Sequence, residues 1–111
     1  MHFTFRQLQI FESVARHLNF SRASEELHLT QPAVSMQIKQ LEDLAGLPLF
    51  EHMGKRIFLT HAGKELFEHT RIIAKQMKEA REALESTHFL NQNKRVNFKV
   101  RPSINGTKSI G

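Results

Sequence analysis

The sequence contains no cysteine, so it offers neither disulfide bonds nor a cysteine-ligated zinc site. It also lacks any apolar run long enough to cross a membrane. At the N-terminus there is no basic stretch followed by an apolar run and a cleavage site, which a signal peptide requires. These absences favour a cytoplasmic location without membrane contact.

Catalytic and metal-binding patterns are missing as well. The seven histidines include no pair spaced four residues apart, which is the spacing that lets two imidazoles share a metal on one helix face. There is no Gly-X-Ser-X-Gly segment, no P-loop and no glycine-rich dinucleotide turn. The sequence therefore predicts a protein that is not an enzyme, with no metal and no cofactor.

The net charge of +5 is not evenly distributed along the 111 residues. Acidic and basic residues cancel within residues 1–60, and they cancel again within residues 61–90. All of the excess lies in the last 21 residues, at Lys94, Arg95, Lys99, Arg101 and Lys108. Net charge alone is therefore a poor argument for nucleic-acid binding, which has to be argued from where charges lie in the fold.

The first 60 residues predict three helices and a short hairpin. Thr4 and Gln7 form a capping box for a first helix that ends near His17. Its inward face is predicted to consist of Leu8, Phe11, Ala15 and Leu18. Asn19 or Ser21 caps a short second helix that ends around His28, with Ala23 and Leu27 pointing inward.

A third helix begins after only a tight turn. Thr30 is its N-cap, and Pro32 lies in its first turn, where a missing N–H is tolerated. Gly46, followed by Pro48, ends it, and its inward residues are Val34, Ile38 and Leu41. Residues 49–52 and 57–59 then predict two short strands around a turn at residues 53–56, a candidate wing.

A long helix capped by Thr60 is predicted over residues 61–90. Apolar and small residues recur along it in alternating steps of four and three, which is typical of helix pairing: Leu66, Thr70, Ile73, Met77, Ala80 and Leu84. We expect a homodimer through this seam. The fold class is thus mainly α, a winged helix-turn-helix of three helices and a two-stranded wing over residues 1–60, followed by the linker helix.

The outward residues of the third helix are candidates for contacts with DNA bases in the major groove, because none between Thr30 and Leu41 is acidic. The candidates are Gln31, Pro32, Ala33, Ser35 and Met36. Phosphate or minor-groove contacts are predicted for Arg22, Thr30, Lys39, Lys55 and Arg56. The alternative for each of them is an ordinary solvated surface.

The segment FRQLQIFESVARHLNFSRASEELHLTQPAVSMQIKQLEDLAGLPLFEHMGKRIFLTHAG resembles the N-terminal DNA-binding domain of LysR-type transcriptional regulators, and the match spans residues 1 to about 90. Within that family it is most similar to regulators of Calvin-cycle (RuBisCO) operons, which implies control of carbon-fixation genes. The resemblance also implies double-stranded DNA as the partner and the same contact residues: Gln31, Pro32, Ser35 and Met36 in the third helix, Lys55 and Arg56 in the wing.

Two positions depart from the common family pattern. Met36 stands where many members have arginine, and His52 stands where the LFxR motif has arginine. A methionine cannot bond to guanine O6 and N7, so we expect apolar contact with a thymine methyl group or a sugar at that position.

Residues 91–111 have a different composition, without acidic residues, and only RVNFKV in them resembles a strand. We expect a disordered basic tail, either the shortened start of an effector domain or residues of artificial origin. Family members continue into an effector domain, so a small-molecule effector is expected only if that domain is present, and the full-length protein is expected to be a tetramer. The alternative function is a shortened protein-interaction module that forms mixed dimers with a full-length regulator.

Overall fold

The computed structural model describes residues 1–94, with side chains described to residue 92. The chain forms α1 (Phe5–His17), α2 (Phe20–Leu27), α3 (Gln31–Ala45), β1 (Phe50–Met53), β2 (Arg56–Leu59) and α4 (His61–Lys94). This order confirms the predicted fold class, a winged helix-turn-helix followed by a long helix. The predicted strand at RVNFKV and the predicted disorder of the tail concern residues that lie outside this range, apart from residues 91–94, which continue α4.

The N-caps of α1, α2 and α3 follow from local side-chain hydrogen bonds. Thr4 and Gln7 form the predicted capping box at the start of α1. Asn19, rather than Ser21, caps α2, because its side chain accepts a hydrogen bond from the Arg22 backbone N–H at 2.9 Å. Thr30 caps α3 by accepting from the Ala33 N–H at 3.2 Å. Each cap satisfies a backbone donor that a helix start leaves unpaired, so the chain enters each helix at a defined residue.

A continuous apolar core lies where the three short helices meet the hairpin. Its buried residues are Ile10, Phe11, Val14, Ala15, Ala23, Val34, Ile38, Leu41, Leu49, Phe50 and Ile57. The rings of Phe11 and Phe50 meet at a centroid distance of 5.4 Å, which joins α1 to β1. The predicted inward face of α3 is confirmed, since all three of its residues are in this core.

The prediction that Leu18 points inward is wrong. Leu18 is the C-cap of α1 and adopts a left-handed conformation with a φ of 49°. Because this conformation ends the helical periodicity before Leu18, the Leu18 side chain does not continue the inward face and is 42% exposed. Ile10 and Val14 fill the core of α1 instead.

The wing is a two-stranded antiparallel hairpin in which Phe50 pairs with Leu59 and Met53 pairs with Arg56. The turn therefore consists of only Gly54 and Lys55, not of residues 53–56 as predicted. Gly54 has a φ of 65°. Two-residue hairpin turns that match the twist of the strands need a positive φ at their first central residue, where glycine is favoured.

The wing is fixed to the helices by two polar side chains. The Glu42 carboxylate accepts hydrogen bonds from the backbone N–H groups of Leu49 at 2.7 Å and Phe50 at 3.3 Å, which connects α3 to β1. The Thr60 hydroxyl donates to the Pro48 carbonyl at 2.7 Å and accepts from the Gly63 N–H at 3.0 Å. The Glu42 bonds thus fix the start of the hairpin to α3, and the Thr60 bonds fix its end to Pro48 and to the start of α4.

The structure divides into two units, residues 1–75 and the residues from Gln76 onward. In the first unit, Ala62, Leu66 and Phe67 of α4 pack against the core. Gly63 is buried, and a Cβ at that position would overlap the carbonyl oxygen of Leu49. In the second unit, residues 76–94 are helical, so α4 extends past residue 90 to Lys94, the last residue that the structure describes. Within residues 1–94, no helix combines the length and the apolarity that crossing a membrane would require.

Candidate nucleic-acid interface

One face of α3 is buried in the core, and the opposite, outer face is exposed. Val34, Ile38 and Leu41 point inward, and the outward residues form a shallow, mainly apolar depression. Its lining residues are Pro32, Ser35, Met36, Lys39, Gln40 and Asp43. The structure therefore brings together four of the residues predicted from sequence to contact DNA. Met36 is 57% exposed, so its apolar side chain is presented to any partner of this face.

Asp43 is the one acidic residue in this depression. Its carboxylate lies 3.9 Å from the Lys39 ammonium group, one helical turn earlier. Both side chains are well exposed, so the pair contributes little to stability. Its effect is on charge, because the carboxylate offsets part of the attraction that Lys39 would exert on a phosphate.

Gln31 lies in a second groove, with a volume of about 310 Å³, between the helix-turn-helix and the wing. Ser21, Gln31, His52 and Lys55 all line it. The Ser21 hydroxyl donates a hydrogen bond to the Gln31 side-chain oxygen at 3.0 Å. The fold thus places the first residue of α3 beside the basic turn of the wing, a juxtaposition that the sequence order alone does not give.

The two basic residues of the wing differ in their surroundings. Lys55 is in the turn and faces the groove that contains Gln31. Arg56, predicted to lie at the tip, is instead a strand residue paired with Met53. Its guanidinium lies 5.5 Å from the centroid of the Phe58 ring. Both residues are exposed, but only Lys55 shares a surface with the start of α3.

His52 stacks against Phe20 with an interplanar angle of 5° and a centroid distance of 6.5 Å. Phe20 in turn contacts Phe50 edge-on at 6.1 Å. His52 therefore connects the wing to the start of α2, and its ring lines the groove between them.

The remaining predicted contact residues lie near the helix starts. Arg22 is exposed in the first turn of α2, and Thr30 is the exposed N-cap of α3. Ala33 is half-buried, so it presents less surface than Pro32 or Met36.

An ion-pair cluster holds α1 and α2 together at the side of this interface. Glu26 of α2 accepts hydrogen bonds from Ser13 at 2.7 Å and Arg16 at 2.8 Å, and it lies 2.8 Å from His17 Nε2. Arg16 also bonds to Glu12 at 2.9 Å. Burial alone would raise the pKa of Glu26, but the hydrogen bonds from Arg16, Ser13 and His17 together lower that pKa to about 2. The Glu12 hydrogen bond, assisted by Glu26, raises the pKa of Arg16.

The predicted seam of α4 is divided by its surroundings. Leu66 packs against the core, Thr70 is only 2% exposed and donates to the Phe67 carbonyl, and Ile73 is half-buried. Further along, Met77 is 41% exposed, Ala80 is exposed and Leu84 is 71% exposed. The part of the seam that is open to another helix is therefore its second half.

Sequence reasoning missed two features of this surface. Asp43 lies beyond the segment from Thr30 to Leu41 for which the sequence predicts DNA contacts, but its spacing of seven from Met36 places it on the same helix face. For Ser21 the sequence predicts only an alternative N-cap of α2. Its contact with Gln31 joins residues ten apart in different helices, and no local pattern predicts it.

The exposed α3, held by α1 and α2 and followed by a basic hairpin, defines a winged helix-turn-helix DNA-binding domain. Residues 5–64 match the model of a family described as bacterial regulatory helix-turn-helix protein, lysR family. The chain belongs to this family, as its sequence resemblance indicated.

Two curated relatives are transcriptional regulators. The chain is 57% identical over 86 residues to a RuBisCO operon transcriptional regulator of Allochromatium vinosum, covering 78% of this chain and 28% of the relative. It is 58% identical over 81 residues to the HTH-type transcriptional regulator CbbR of Rhodospirillum rubrum, covering 73% of this chain and 27% of the relative. The chain thus spans little more than a quarter of the length of these relatives.

The fold is also similar to a solved structure, that of the CbnR DNA-binding domain in complex with DNA. The two share 31% sequence identity with a TM-score of 0.64, over 78% of this chain and 99% of that one. The similarity therefore extends over nearly the whole of that DNA-binding domain.

Proposed function

We propose that this chain is the DNA-binding part of a regulator of carbon-fixation genes, which binds an interrupted palindrome as a dimer. The observation that carries the DNA contact is the exposed outer face of α3 next to a groove that contains Lys55. The target genes are inferred from the similarity to the RuBisCO operon transcriptional regulator of Allochromatium vinosum. In this proposal, each α3 enters the major groove of one half-site.

Base contacts are assigned to Gln31, Ser35 and Met36, with apolar support from Pro32 and Ala33. Lys55 and Arg56 contact phosphates or the minor groove from the wing, and Arg22, Thr30 and Lys39 contact phosphates of the flanking backbone. The pairing of Lys39 with Asp43 weakens that contact, so we expect Lys39 to contribute less than Lys55.

The experiment that tests DNA binding is a titration of affinity against salt, using duplex DNA from upstream of carbon-fixation genes. Phosphate contacts release counterions, so log affinity should fall linearly and steeply with log salt concentration. Lys55→Ala should reduce that slope by about 1. Lys64→Ala is the control: it removes the same charge, but Lys64 is on α4 and lines neither groove, so the slope should not change.

The competing proposal is a module that acts through protein contacts and forms mixed dimers with a full-length regulator. The charge neutrality of residues 1–60 is the observation that favours it. Affinity for duplex DNA that is weak and independent of salt would support this alternative and contradict the DNA-binding proposal.

Two substitutions on α3 separate base contacts from positioning contacts. Gln31→Ala should cost about 1 to 3 kcal/mol on a specific site and little on random DNA. Equal losses on both would make Gln31 a positioning contact only.

Met36→Arg should change the preferred base at one position in each half-site, because arginine bonds to guanine O6 and N7 and methionine does not. Selection from random DNA measures this preference, and an unchanged base would contradict the role of Met36.

The dimer is proposed to form through α4, with the exposed residues Met77, Ala80 and Leu84 at its centre. Leu66 and Ile73, which are half-buried, continue the same seam toward the core, and Thr70 between them is already buried. Two half-sites on the same face of the DNA would be separated by a whole number of helical turns of the DNA, each about 34 to 36 Å. In longer relatives with an effector domain, we extend the proposal to a tetramer that responds to a small molecule.

Analytical ultracentrifugation of Leu84→Glu tests the dimer. A charge in the seam should shift the protein to monomer, whereas Ser86→Glu, which adds the same charge away from the seam, should not. If both variants remain dimeric, the seam is not the interface.

A further inference from the structure

We infer that Ser21 is a specificity-determining residue, which acts by holding the side-chain amide of Gln31 in one orientation toward the DNA. Ser21 is a positioning residue in this inference, since it works through Gln31. The inference rests on the proposed function, in which Gln31 contacts a base.

The contact joins the two helices of the helix-turn-helix. The Ser21 hydroxyl in the first turn of α2 donates to Gln31 Oε1, at the first residue of α3, over 3.0 Å. The backbone of Ser21 is itself held, because its carbonyl accepts a hydrogen bond from the Ser24 hydroxyl at 2.7 Å. On the other side, Gln31 directly follows the Thr30 cap. The hydrogen bond between Ser21 and Gln31 therefore joins two side chains whose backbones are held by neighbouring hydrogen bonds.

The chemistry of an amide explains why such a contact affects specificity. A glutamine side-chain oxygen has two lone pairs, and the Ser21 hydroxyl uses one of them, so one lone pair and two N–H donors remain. In the major groove, adenine presents the N6 amino donor beside the N7 acceptor, and glutamine pairs with both at once. This pairing requires the oxygen and nitrogen of the amide to be on defined sides. With Oε1 bonded to Ser21, reversal of the Gln31 amide breaks this bond and requires the hydroxyl to turn from donor to acceptor.

Without the hydroxyl, the Gln31 side chain would rotate freely in solution, because both residues are exposed. Long side chains lose conformational freedom when they bind, and this loss weakens the contact. Removal of the hydroxyl should therefore reduce the preference for adenine over other bases by about 2- to 10-fold. Affinity for random DNA depends on phosphate contacts, and it should not change.

The test is a double-mutant cycle on base preference. The wild type, Ser21→Ala, Gln31→Ala and the double variant are titrated with four duplexes that differ only at the base pair that Gln31 contacts. We expect Ser21→Ala to reduce the preference for adenine in the presence of Gln31 and to have no effect on preference in its absence. Ser21→Thr keeps the hydroxyl and should restore the preference.

Two controls separate positioning from other effects. Arg22→Ala should weaken binding to all four duplexes equally, as expected for a phosphate contact next to Ser21. Urea unfolding of Ser21→Ala should match the wild type, since a loss of fold would lower all affinities and not one preference.

The outcomes distinguish this inference from the proposed function. A preference that is lost in Gln31→Ala but intact in Ser21→Ala would overturn the inference and leave the base contact standing. If binding depends steeply on salt but Gln31→Ala removes no base preference, both the base contact of Gln31 and the inference about Ser21 are overturned. Salt-independent weak binding would overturn the DNA-binding proposal itself.

Discussion

The two units of this chain differ in where their apolar side chains lie. Residues 1–75 bury a core built from α1, α2, α3 and the wing. Every described side chain from residue 76 to residue 92 is exposed, including Leu84 at 71%, Phe89 at 63% and Leu90 at 54%. Because apolar burial is the main source of folding stability, the first unit carries its own stability. A helix with no buried face depends on a partner, which is why we assign association to the second unit.

The strongest test of this difference compares two apolar residues truncated in the same way. Phe11 is 0% exposed and contacts Phe50, so Phe11→Ala should lower the free energy of unfolding by about 3 to 5 kcal/mol. Leu84→Ala should change the stability of the first unit by less than about 0.5 kcal/mol. Urea unfolding measured at several protein concentrations checks both.

The result for Leu84 should depend on protein concentration, while that for Phe11 should not. If Leu84→Ala were as destabilising as Phe11→Ala at every concentration, the two units would not differ in the proposed way.

Gly63→Ala sharpens the comparison within α4, because the helix begins in the first unit and continues into the second. Inside an exposed helix, replacing glycine by alanine stabilises by about 1 kcal/mol. At position 63 the new methyl group would overlap the Leu49 carbonyl oxygen, whose backbone is held by Glu42. We therefore expect a loss of about 1 to 3 kcal/mol. Thermal unfolding gives the sign, and a gain in stability would show that α4 does not pack closely on the wing.

The features that the sequence predicted correctly are those with a local cause. The capping box at Thr4, the N-cap at Thr30 and the C-cap at Gly46 depend on residues within a few positions of one another. The inward residues of α3 follow from helical periodicity. These signals were enough for the order of elements, and the sequence resemblance was enough for the family.

Apart from Asp43, the features that the sequence missed join residues from different elements of the fold. Glu42 bonds to the backbone seven and eight residues away, and Ser21 meets Gln31 across a helix junction. The wing turn was predicted too long because the strand pairing of Met53 with Arg56 depends on register, which composition does not specify. The assigned contacts of the site with DNA are still predictions.

The smallest expected effect concerns the ion-pair cluster between α1 and α2, which belongs entirely to the first unit. Glu26 has a pKa of about 2 in the folded protein against an ordinary value of 4.5. Since the folded pKa is the lower one, the contribution of Glu26 to stability is fully present above pH 4.5 and is lost as the pH falls toward 2. The carboxylate is 43% exposed, so solvent reduces this contribution to that of a surface cluster, about 1 kcal/mol or less.

Glu26→Gln should therefore lower the free energy of unfolding at neutral pH and flatten its dependence on pH between 4.5 and 2. Glu25→Gln removes the same charge from the same helix but leaves the hydrogen bonds of Arg16 and Ser13 in place, so it is the matched control. Urea unfolding at a series of pH values measures both variants. Parallel pH profiles for the wild type and Glu26→Gln would mean that the cluster does not stabilise the contact between α1 and α2. A difference in slope that is confined to this pH range and does not change with protein concentration would place that stability in the first unit, independent of any association through α4.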